Sequence, residues 1–79
     1  MLVPSDKVIS LLREQFPKGC RVELIRMDDP QAPPIETKGT VTHVDDIGTI
    51  HVAWDNGSSL GVAYGVDFCR KTKEGDSND

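Results

Sequence analysis

Seventy-nine residues allow one domain, with a single core too small to enclose a deep catalytic cavity, so a surface groove is the expected working part. Hydrophobic residues at 37% and charged residues at 28% are enough for an independently folding core and argue against an intrinsically disordered chain. A net charge of −4 disfavours nucleic acid, and no apolar run reaches signal-peptide or membrane-spanning length, so a cytoplasmic location without a membrane partner is expected.

Between Pro4 and Phe16 the apolar residues Val8, Ile9, Leu11, Leu12 and Phe16 follow the spacing of one helical face, which predicts a helix. Ser5 or Asp6 can accept from its free N-terminal amides, and Pro17 with Gly19 ends it. So apolar a face is expected to cover an open side or end of the domain, or to contact a second copy in a homodimer.

Alternation of Val22 and Leu24 with Arg21 and Glu23 predicts a first strand over residues 21–27. Pro30, Pro33 and Pro34 exclude a central strand or helix over the next stretch, which reads as a long, stiff loop opening with Asp28 and Asp29. Three strands follow at residues 40–45, 49–54 and 58–63, joined by Asp46-Ile47-Gly48 and Asp55-Asn56-Gly57. Both loops fit three-residue turns closed by a left-handed glycine. That register sets Val44 opposite Ile50, Ile50 opposite Val62, Val52 opposite Leu60, and Trp54 between Thr40 and Ser58, which gathers the apolar set on one face. His43 then faces His51 on the other.

After Tyr64-Gly65 and a short turn, Phe68-Cys69-Arg70 is long enough for a closing strand, while residues 71–79 lack apolar side chains and read as a disordered tail. The predicted fold class is therefore mainly β, a small SH3-like barrel of about five antiparallel strands preceded by one N-terminal α-helix. Its divisions are residues 1–19 for helix and connector, 20–70 for the barrel and 71–79 for the tail.

The ordered pieces Pro17-Lys18-Gly19, Arg21-Val22-Glu23-Leu24, Met27-Asp28-Asp29-Pro30, Ala32-Pro33-Pro34, Lys38-Gly39-Thr40-Val41, Val44-Asp45-Asp46-Ile47-Gly48, Trp54-Asp55-Asn56-Gly57 and Tyr64-Gly65 closely resemble a small bacterial and phage family. It is catalogued as domain of unknown function 4314. The resemblance spans about Phe16 to Arg70 and leaves the helix and the acidic tail outside. It implies a compact β domain often borne by mobile-element proteins, and brings no established activity or catalytic residues.

Cys20 and Cys69 are too few for a disulfide framework or a four-thiolate zinc site and are read as reduced thiols. His43 and His51 could share a metal, but no third ligand has a recognisable spacing, so they are read as a polar cross-strand pair. Ser58 and Ser59 lack a nucleophile-elbow context, and the aspartate pairs suit turn bonding better than acid–base work. No enzyme, cofactor or metal site is expected.

Trp54 has two readings, a plug at the edge of the core or an exposed contact residue. With Tyr64 and the loop carrying Asp28, Asp29 and Pro30, it makes the candidate partner-binding set, an acidic and aromatic groove for a protein or peptide. The alternatives are a nucleic-acid-binding SH3-like module, for which Arg70, Lys71 and Lys73 are the only close cationic group, and a structural or assembly subunit of a phage or mobile element.

Overall fold

In the computed structural model, which describes residues 4–72, α1 spans Asp6–Gln15. Ser5, with extended backbone, caps it by accepting the Val8 N–H at 3.3 Å, and the Phe16 N–H closes the last turn on the Leu12 carbonyl at 2.8 Å. Ile9 is buried at 5% exposure, and Leu12 and Phe16 pack against the core, whereas Leu11 turns outward at 49%. The helix lies against the sheet strand β2, Lys38–Val44. Arg13 ties the two together, donating to the Val44 carbonyl at 3.2 Å and pairing with Asp46 at 2.8 Å.

The remaining strands are β1, Arg21–Arg26, β3, Ile50–Trp54, and β4, Phe68–Lys71. They form one open antiparallel sheet in the order β3-β2-β1-β4. Because β1 has a partner on each edge, its inward residues Val22 and Leu24 are wholly buried, and they centre a core completed by Val41, Val44, Ile50, Val52, Trp54 and Val62. Across β1 and β4, Glu23 pairs in register with Arg70, and their side chains form an ion pair at 3.0 Å.

The expected five-stranded barrel is corrected to four strands in an unclosed sheet. Residues 58–63 keep the two ends of the expected pairing: the Trp54 N–H donates to the Ser58 carbonyl at 2.9 Å, and Ile50 bridges Val62. Between them the ladder opens and the expected Val52–Leu60 pair does not form. The cause is competition for the backbone of Leu60: its carbonyl accepts the Trp54 indole N–H at 2.8 Å, and its N–H turns to the Ser58 hydroxyl at 3.4 Å.

Pairing of β2 with β3 follows expectation at Val44–Ile50 and His43–His51, then shifts by one residue across a bulge between Val41 and His43. Trp54 therefore faces Gly39, not Thr40, and Val41 pairs with Val52. The slip has a hydrophobic reason: regular pairing would send Val41 to the polar face, whereas the bulge brings it into the core beside Val52. Both turns close as expected, with Gly48 at φ 86° and Gly57 at φ 95°.

Two residues assigned to the tail belong to the fold, since Lys71 pairs with Val22 and the Thr72 N–H donates to the Arg21 carbonyl at 3.0 Å. The rest of the expected tail, residues 73–79, lies outside the described residues.

Candidate functional site

Leu12 on α1 and Phe16, the residue that caps its C-terminal end, form one wall of a mostly apolar groove of about 310 Å³. Ile50, Val62 and Cys69 supply its floor and Tyr64 stands at its edge. The turn carrying Tyr64 is held by one carboxylate: Asp67 Oδ2 accepts the Ala63 N–H at 3.0 Å, while the Val66 and Asp67 amides return to the Ala63 carbonyl at 3.1 and 2.9 Å. Locked in this way, Tyr64 leaves 47% of its surface exposed. Burial pushes the Cys69 thiol up to about 11, with Cys20 adding to the rise, so Cys69 presents a protonated, apolar surface to the groove. Both cysteines are free thiols.

The other sequence candidates divide. Asp28, Asp29 and Pro30 are exposed, and Asp29 organises their loop by accepting the Gln31 N–H at 2.8 Å on Oδ1 and the Ala32 N–H at 3.0 Å on its carbonyl. Their loop leaves the sheet at the same end as the Tyr64 turn, because Arg26 pairs with Phe68, yet none of the three lines the groove. Trp54 is buried at 3% exposure, which makes it a core residue and takes its ring out of any surface set. The groove residues Leu12, Phe16, Ile50, Val62 and Cys69 were legible only as core positions; nothing in their spacing shows that helix and turn stand apart at this point.

On the opposite face, the imidazoles of His43 and His51 stack with centroids 4.3 Å apart and planes 7° from parallel. His51 Nε2 lies 2.8 Å from Asp45 Oδ2, while Asp45 Oδ1 accepts the Ile47 and Thr49 amides at 3.1 and 2.9 Å. Partial burial raises the Asp45 carboxyl, but the His51 hydrogen bond, the two amides and the nearby imidazole outweigh it and hold the group below its usual range. Asp45 thus works as a turn cap coupled to the histidine stack. Among the described residues no group of three or more His, Cys, Asp or Glu side chains is arranged to hold a metal ion, and no helix is long and apolar enough to cross a membrane.

No curated protein matches the chain. A family model does, over residues 5–72, and this corrects the expectation that the helix stands outside the shared pattern: the match starts at the Ser5 cap and takes in all of α1, and with it the helical wall of the groove. Helix and sheet therefore fall within one family match, and the chain is a member of the family described as domain of unknown function (DUF4314).

Proposed function

We propose that this chain is a non-enzymatic accessory module that binds a protein or peptide partner by taking an apolar side chain into the groove between α1 and the Tyr64 turn. The observation that carries this reading is the groove itself, a mostly apolar hollow edged by a half-exposed tyrosine on a hydrogen-bonded turn, the combination of buried anchor site and amphipathic aromatic that peptide grooves use. Asp28 and Asp29, at the same end of the sheet, are placed to favour a partner with basic residues beside its apolar anchor. An SH3-like origin is part of this proposal. It is supported by β4 returning beside β1 and by the Ile50–Val62 bridge, which continues the β2–β3 meander.

The test is selection of peptides from a displayed random library against the whole chain, followed by NMR titration with the selected sequences. Shift changes should centre on Phe16, Tyr64 and Cys69. Tyr64→Ala should weaken binding about tenfold, the order of loss for a hot-spot aromatic, and the Asp28→Asn/Asp29→Asn pair should reduce the salt dependence. Perturbations confined to the His43–His51 face would move the site. Preferential binding of RNA or DNA, lost steeply as salt rises, would replace the reading altogether.

A further inference from the structure

The two edges of the sheet are finished differently. On β3 the outer edge is bonded at both ends, from the Trp54 N–H to the Ser58 carbonyl at 2.9 Å and reciprocally between Ile50 and Val62 at 2.9 and 2.8 Å. On β4 one side pairs with β1, and no described residue pairs with the other. Backbone bonds fix which groups face outward there. The Thr72 N–H donates to the Arg21 carbonyl at 3.0 Å, while the Leu24 N–H turns the other way, to the Thr37 carbonyl at 2.9 Å. Antiparallel pairing alternates, so Arg21 and Glu23 bond toward Thr72 and Arg70, and the N–H and C=O groups of Cys69 and Lys71 point to the open edge.

That edge borders the groove. Phe68 and Cys69 of β4 both line it, so a strand laid along β4 passes its mouth and sets alternate side chains toward it. Charge at the edge selects what such a strand carries. Arg70 is paired with Glu23, whereas Lys71 is exposed and has no ion pair among the described residues. A second copy is a poor occupant, because the antiparallel register that uses both outward residues of each β4 sets the two Arg70 side chains opposite each other. A partner carboxylate beside Lys71 is attracted instead. In the groove the charged lining residue is Asp67, whose Oδ2 accepts the Ala63 N–H, so an acidic group is directed to the edge and an apolar one to the hollow.

We infer that the partner binds as an extended peptide that adds a strand to β4, bonding to the Cys69 and Lys71 backbone, with an apolar side chain in the groove and an acidic residue beside Lys71. The apolar anchor rests on the groove reading proposed above; the strand pairing rests on the open edge alone.

The experiment takes peptides selected from a displayed random library against the whole chain and follows the complexes by NMR. Bound peptide should give NOEs between its Hα or amide protons and those of β4, and should slow exchange of the Lys71 amide about tenfold or more. Lys71 is the diagnostic amide, because it lies on the edge and not in the groove lining. N-methylation of the peptide residue that bonds Lys71 should weaken binding about tenfold, whereas at the next residue, whose N–H faces away, it should leave affinity unchanged. Lys71→Glu should weaken binding about fivefold, and exchanging the peptide's acidic residue for lysine should restore it. Shifts at Phe16 and Tyr64 with an unprotected Lys71 amide and no cross-strand NOEs would overturn the strand pairing and leave the groove reading standing. Cross-strand NOEs without a shift at Phe16, and with affinity unchanged in Tyr64→Ala, would do the reverse. Lys71 protection that rises with protein concentration in the absence of peptide would make a second copy the occupant and overturn the inference. An unchanged affinity in Lys71→Glu would overturn the acidic assignment.

Discussion

Replacing Gly39 by alanine tests how closely β2 and β3 are fitted. A β-carbon there would lie 2.5 Å from the Val52 Cγ1, 2.9 Å from the Ala53 carbonyl oxygen and 2.9 Å from the Trp54 Cε3. None of the three can step aside cheaply, since Val52 and Trp54 are buried and Ala53 pairs with Thr40 in the ladder. Overpacking of this kind costs about 1–3 kcal/mol, and contact with backbone puts Gly39→Ala at the upper end. Alanine also restricts the unfolded chain, which returns about 0.4–1 kcal/mol and leaves a net loss of about 2 kcal/mol. A domain of this length has roughly 4–12 kcal/mol of stability and loses about 4–8 °C per kcal/mol, so melting followed by circular dichroism should fall by about 8–16 °C. Gly57→Ala is the control, because its β-carbon meets nothing within 4 Å and only the positive φ opposes it, at a cost of about 1 kcal/mol. If the Gly39 variant melted no lower than the Gly57 variant, the close approach of the two strands would be wrong.

Ile9→Ala should cost about 2–3 kcal/mol in urea unfolding, whereas Leu11→Ala, on the exposed side of the same helix, should stay within about 0.5 kcal/mol of the parent; equal losses would mean the helix docks by another face. Asp45→Asn can keep the turn's amide bonds but loses the charge facing His51. Because the folded carboxyl titrates below the usual 3.8, the ionised group contributes stability above that value and loses it as pH falls through its lower folded value. The variant's urea midpoint should therefore lie below the parent's at pH 7, with the gap closing under more acid conditions than pH 3.8; a gap that persists there would place the effect in the amide bonds. Cys69, with its thiol at about 11, should alkylate far more slowly at pH 8 in the folded chain than in urea, as mass spectrometry of iodoacetamide adducts would show.

Local patterning made the helix, a cap at Ser5 or Asp6 that the structure gives to Ser5, and both glycine-closed turns legible in the sequence, because each depends on residues within a few positions of one another. The opposed histidines were legible too, since hairpin register carries over a short distance from the turn. What lay beyond reach came from competition between non-local demands. The bulge before His43 answers to Val41 needing the core, and the loss of a strand at residues 58–63 answers to one indole N–H needing an acceptor once Trp54 is buried. The groove beside Tyr64 joins residues of α1, β3, β4 and the turn between them, a non-local convergence that no residue spacing encodes.

The opened stretch between Ser58 and Val62 has a kinetic consequence. It is pinned at both ends by backbone bonds, from the Trp54 N–H to the Ser58 carbonyl and reciprocally between Ile50 and Val62, but the Leu60 amide is held only by a 3.4 Å bond to a side-chain hydroxyl. In deuterated buffer that amide should exchange through a small local fluctuation, while the Ile50 and Val62 amides should wait for a larger opening of the sheet. Val62, at the pinned end of this stretch, lines the groove, whereas residues 58–61 do not, so the local fluctuation should stop short of the groove lining.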